Sequence, residues 1–148
     1  MPHQIIEYSA NLDADMNIDD LVAALHSTAT EIDALPTGGI RTRAVRRDHF
    51  KIADGHAENT FINVTLRIAE GRTADVRQDA GERLFAALRE FIAPVFDKRP
   101  MSLSYEIQEI EADMRWKHSN IRDYLAKRTG ASDQAVAATP EEGPHVGS

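Results

Sequence analysis

The sequence contains no cysteine. Disulfides, thiolate metal centres and a cysteine nucleophile are therefore excluded. A long apolar run is also missing. The most apolar stretch, around Leu84 to Phe96, is broken by Arg89, Glu90 and Pro94, well short of the roughly 20 residues that cross a bilayer. No basic start with an apolar core opens the chain, so no signal peptide is expected and the cytoplasm is the expected compartment. Basic charge is in deficit, with 17 Lys and Arg against 24 Asp and Glu and a net charge of −7. That disfavours nucleic acid as a partner, because phosphate backbones are bound by a cationic surplus.

Metal and nucleotide signatures are absent too. The histidines, at 3, 26, 49, 56, 118 and 145, include no pair at the four-residue spacing of a helical zinc site. There is no G-x-S-x-G, Walker A or G-x-G-x-x-G. The run Asp13-x-Asp15-x-Asn17-x-Asp19 imitates a calcium loop, but the glycine and glutamate such a loop needs at its sixth and twelfth places are Ile18 and Ala24. It reads better as an acidic start to a helix.

What is present suits one soluble domain: 148 residues, 42% apolar and 28% charged. Pro2 to Tyr8 reads as a strand, and Ile18, Leu21, Val22, Leu25, Ala29 and Ile32 fall on one helical face. Asn17 is the expected N-cap, and Pro36-Thr37-Gly38-Gly39 the expected terminator. Ile40 to Val45 is a second strand with Arg41 and Arg43 on one side. The order then repeats. Thr60 to Ile68 alternates as a strand, Glu70-Gly71-Arg72-Thr73 turns the chain, and Val76, Ala80, Leu84, Leu88, Phe91 and Val95 mark a helix whose end Pro94 and Pro100 bracket. Met101 to Ile107 is the fourth strand.

These patterns predict an α/β (α+β) fold, with tandem β-α-β units in a four-stranded sheet and two helices on one face. The pseudo-repeats span about 2–47 and 59–109. A helix over about 119–127, with Ile121, Tyr124 and Leu125 inward and Gly130 as its stop, completes a domain over 1–128. Residues 129–148 are expected to be a disordered tail. Two helices cannot cover both sheet faces, so the bare face is expected to find a partner, most simply another copy of the chain.

Three features carry chemistry. Arg72 immediately precedes the second helix, where the helix dipole disfavours a cation unless an anion binds between them. Arg41, Arg43, Arg46 and Arg47 form a second basic cluster in the pseudo-equivalent unit. Two such sites suit a substrate with a carboxylate at each end, which arginine's planar fork grips well. Pro2 is the third. Removal of Met1 would leave a secondary amine, whose reference pKa of about 7.7–8.0 falls beside cations or on desolvation. Such an amine can accept and return a proton near neutrality.

With Pro2, the doubled unit and Glu70-Gly71-Arg72 together, the chain resembles the tautomerase superfamily. The segment LRIAEGRTADVRQDAGERLFAAL is similar to the strand, turn and helix of the 4-oxalocrotonate tautomerases. The opening MPHQIIEYSANL, TGGIRTRAV and LSYEIQEI resemble the 5-carboxymethyl-2-hydroxymuconate isomerase family over about residues 2–127. The resemblance implies a cofactor-free, homotrimeric isomerase of homoprotocatechuate breakdown that turns a 2-hydroxymuconate-type dienol into its 2-oxo isomer. It implies Pro2 as the base and Arg72 and Arg41 as the substrate-binding arginines, one at the 2-keto acid end and one at a remote carboxylate. Arg43 shares or replaces Arg41 in this reading. Phe50 and Trp116 are the expected apolar lining, with Phe61 and Tyr105 as alternatives. Relatives with the same proline act as hydratases or dehalogenases, and a non-catalytic trimeric binding protein is the further alternative.

Overall fold

The structure, a computed structural model, describes residues 2–129. Met1, the expected Gly130 stop and the 131–148 tail lie outside the described residues. Strand β1 (His3–Ser9) leads through a short 3-10 turn to helix α1 (Ile18–Thr30), and β2 (Arg41–Arg47) closes the first unit. Strand β3 (Thr60–Ala69), helix α2 (Ala74–Phe96) and β4 (Met101–Ile110) form the second, followed by α3 (Ile121–Thr129).

The sheet order is β2-β1-β3-β4. Strands β1 and β2 are parallel, as are β3 and β4, while β1 and β3 join the two units antiparallel. The doubled β-α-β pattern is therefore the fold, and α1 and α2 lie on one face. Side chains alternate along a strand, so Gln4, Ile6 and Tyr8 of β1 and Ile62, Val64, Leu66 and Ile68 of β3 point together into the core. They meet Leu21, Leu25 and Ala29 of α1 and Ala80, Leu84, Leu88 and Ile92 of α2. No described helix is long and apolar enough to cross a membrane.

Local chemistry explains the helix starts. The Asn17 side chain accepts from Asp20 N–H at 3.1 Å, as the cap pattern predicted. Thr73 does the same for Val76 N–H at 3.2 Å. The acidic run before α1 has a second use that its composition did not reveal. Asp13 accepts from Tyr8 Oη at 3.0 Å and from Arg46 at 2.7 Å, and Asp15 pairs with Arg99. The Arg46 bond holds the Asp13 carboxyl below its usual range.

Several expected details need correction. Helix α1 stops at Thr30, before the Pro-Thr-Gly-Gly segment; Glu31 caps it, and Ile32 and Leu35 are buried in a turn beyond. Pro94 and Pro100 do bracket the end of α2, at Phe96, with Pro94 itself inside the last turn, which is held by Asp97 N–H on Ala93 O. Ile92, not anticipated, is fully buried on α2, whereas Val76 is 38% exposed, beside Ile32, Asp33 and Ala34 rather than over a strand. Helix α3 runs two residues later at each end than expected. Ile121 and Tyr124 are exposed there, since α3 rests on the Thr37–Gly39 turn rather than on the sheet.

Candidate active site

Pro2 is buried at the head of the central strand β1. Its carbonyl accepts the Arg41 N–H at 3.0 Å, which ties it to the first residue of β2. On the other side, His3 pairs with Arg67 near the far end of β3. Because β1 and β3 run in opposite directions, the start of β1 and the Glu70-Gly71-Arg72 turn share one end of the sheet. Glu70 N–H on Ile110 O at 3.1 Å brings the end of β4 there as well. Pro2, Arg41 and Arg72 thus gather at one end.

The guanidinium of Arg72 is held by backbone. Nε and Nη2 both donate to Ala34 O, at 2.9 and 2.8 Å, and Nη1 donates to Ala69 O at 3.0 Å. It therefore fastens the segment after α1 to the end of β3. The expected arrangement, with the cation facing the α2 start across an anion, differs from this one: the side chain turns back over the preceding turn. Gly71, with φ +122°, supplies the left-handed turn that permits the reversal. Arg41 Nη1 donates to Gly39 O at 3.0 Å.

The remaining candidates disperse. Arg43 is exposed and donates from Nη1 to His3 Nδ1 at 3.2 Å. Phe50 follows the C-terminal end of β2, the opposite end of the sheet from Pro2 in the same chain. Trp116 follows β4 at the Pro2 end, but its side chain is 78% exposed. Two open clefts, of about 540 and 430 Å³, follow the seam between α2 and β4. Pro2, Arg41 and Arg72 line neither.

A buried polar chain under the Pro2 strand escaped the sequence reading. Tyr105 Oη donates to Gln4 Oε1 at 2.8 Å, and Gln4 Nε2 donates to Thr42 Oγ1 at 3.2 Å and Leu25 O at 3.3 Å. Thr42 Oγ1 lies 2.8 Å from His26 Nδ1. Gln4 is fully buried, and burial pushes the Tyr105 phenol well up. The available signal was a polar residue at an inward position, between Pro2 and Ile6. The imidazole of His3 is also notable. Its pKa falls from 6.5 to about 4, through burial first and then the charges of Arg43, Arg41 and Arg67, so it is neutral at physiological pH.

Known proteins share both this fold and its sequence pattern. Residues 2–125 match the family model described as 5-carboxymethyl-2-hydroxymuconate isomerase. The 5-carboxymethyl-2-hydroxymuconate Delta-isomerase of Escherichia coli is 33% identical over 121 residues, covering 82% of this chain and 96% of its own. A crystal structure of a 5-carboxymethyl-2-hydroxymuconate isomerase from Deinococcus radiodurans R1 superposes with a TM-score of 0.78 at 33% identity, covering 84% of this chain and 93% of that one. A 5-carboxymethyl-2-hydroxymuconate delta-isomerase at 29% identity gives the same score and coverage. A fused 4-OT symmetric trimer, at 16% identity, a TM-score of 0.52 and coverage of 80% and 93%, shares the fold. The chain is an isomerase-type enzyme of tautomerase fold that belongs to the 5-carboxymethyl-2-hydroxymuconate isomerase family.

Proposed function

We propose that this enzyme converts a 2-hydroxymuconate-type dienol, such as 5-carboxymethyl-2-hydroxymuconate, into its 2-oxo isomer by proton transfer through the Pro2 nitrogen. Family membership supports the reaction, and the position of Pro2 supports the base: it heads the central strand at the arginine-rich end of the sheet. With Met1 removed, the nitrogen is a secondary amine. It takes the 2-hydroxyl proton as the oxygen becomes the ketone and the double bonds shift along the chain. The resulting ammonium returns the proton to the distant carbon, so no cofactor is consumed.

Arg72 and Arg41 hold the two carboxylate ends, and their fixed positive charge stabilises the dienolate as it forms. Bonds to Ala34, Ala69 and Gly39 carbonyls keep both forks in place before substrate arrives. Arg43 contributes to the remote carboxylate, with Trp116 and Phe50 as apolar walls. Phe50 lies at the wrong end of its own chain, so it serves the site of a neighbouring subunit in a homotrimer. The uncovered sheet face supports that assembly, and aromatic breakdown in the cytoplasm is the setting.

The deciding experiment compares the Met1-processed protein, verified by intact mass, with a form that retains Met1. Ketonisation of a 2-hydroxydienoate is expected from the first. The retained form has an amide at Pro2 and loses at least about 10²–10⁴-fold, the usual worth of a general base. Full activity with Met1 in place would rule out Pro2.

A further inference from the structure

The uncovered face of the sheet concentrates positive charge at one corner. Register sets His3 of β1 between Arg41 of β2 and Arg67 of β3. Arg43, two residues along β2, turns back to His3 Nδ1. All four residues alternate with the inward positions of Gln4, Thr42 and Leu66, so all four stand on the side away from the helices. Like charges on neighbouring strands repel, and the three guanidinia stay charged at any pH the fold survives.

Acidic residues outnumber basic ones in this chain, yet no described carboxylate pairs with Arg41, Arg43 or Arg67. The strands place two carboxylates on this face, and both are engaged: Glu7 accepts from Arg47 Nε at 2.6 Å, and Glu106 from Gln108 Nε2 at 3.0 Å. His3 adds another donor. With Nδ1 accepting from Arg43, the neutral ring carries its hydrogen on Nε2. Burial first, and then the charges of Arg43, Arg41 and Arg67, keep the His3 ring neutral.

We propose that His3, Arg43 and Arg67, with Arg41 beside them, form a binding site for a small oxyanion carrying carboxylate or phosphate charge. The corner is rich in donors, and arginine forks match such oxygens two at a time. Two sources fit the chemistry. A carboxymethyl-bearing muconate has three carboxylates, one more than Arg41 and Arg72 take up, and the third is one candidate. A separate anion is the other. The site does not depend on the chemistry assigned to Pro2.

Titration of the full chain with inorganic phosphate tests it, read by the His3 ring resonances and by melting temperature. Phosphate shifts both in the wild type. Arg67→Gln weakens phosphate binding about tenfold, the scale of one lost charge-assisted contact. Arg67→Lys, which keeps the charge and guards against a folding defect, stays within about threefold of wild type. Turnover then separates the sources. If phosphate competes with the dienol, and Arg67→Gln raises KM while kcat holds, the site takes the substrate's third carboxylate. If Arg67→Gln weakens phosphate binding but leaves KM unchanged, the site takes a separate anion. A wild type that ignores phosphate, or an Arg67→Gln variant that binds it as well as wild type, overturns the proposal. Neither result touches the Met1 comparison, so the two readings fail separately.

Discussion

At Arg72, one guanidinium both braces two carbonyls and faces the end of the sheet where Pro2 lies. Arg72→Ala should therefore lower stability as well as turnover. Hydrogen bonds from a charged donor are worth about 1.5–3 kcal/mol, so denaturant unfolding should lose an amount of that order while kcat and kcat/KM both drop. Arg41→Ala removes a single bond to Gly39 O and, with Arg41 the proposed holder of a remote carboxylate, should mainly raise KM. Steady-state kinetics on both variants checks the contrast. His3 makes a pH prediction. Its folded pKa of about 4 lies below the ordinary 6.5, so between those values the unfolded chain binds more protons. The stabilisation is complete above pH 6.5 and is lost as pH falls towards 4. Melting curves across that window should show a decline that His3→Gln reduces. At this scale Pro2, Arg41 and Arg72 were legible as types at given positions. The backbone grip on Arg72 was not, because Ala34 and Ala69 contribute carbonyls, which carry no signature in a sequence.

Among the elements, periodicity identified every strand and both core helices, and the errors have physical causes. Val76 has the right spacing for the core, but it faces an open hollow beside Ile32 and Ala34 rather than a strand. Ile121 and Tyr124 have the right spacing too, yet α3 has only a turn beneath it. Spacing reports a face, not whether anything is there to cover it. Helix α3 is nonetheless anchored, because the Arg122 side chain lies over Gly38. A Cβ built at Gly38 would come within 2.8 Å of Arg122 Cγ. Gly38→Val should therefore push α3 off the turn, and proteolysis within 121–129 should accelerate while the sheet persists. The core sets the opposite extreme. Leu84 is fully buried between α2 and the sheet, so Leu84→Ala should cost about 2–5 kcal/mol in equilibrium unfolding.

For the whole molecule, the sheet is the deciding feature. Its helix face carries the core, while its other face carries polar and half-buried side chains, from Ile5 and Phe61 to Arg67. Sedimentation at micromolar concentration should give a trimer, and Phe50→Ala should then reduce activity although Phe50 is remote from its own Pro2. A mixed-subunit experiment is the sharper check. Combining Pro2-blocked chains with Phe50→Ala chains should restore part of the activity, because some mixed sites regain both residues. A cooperative monomer with full activity would contradict the assembly. The sequence indicated that one face lacked a cover, since two helices can seal only one side.

The central position of β1 has a practical consequence for anyone preparing the enzyme. This strand is hydrogen-bonded along both edges, and its first residues are already inside the fold. A purification handle fused ahead of Pro2 would have to leave through the arginine-rich end, and its peptide bond would consume the amine. Material carrying such a handle should fold, elute cleanly and show no turnover, so a capable enzyme would be mistaken for a dead one. The other end of the chain follows α3, which lies outside the sheet, and a handle belongs there.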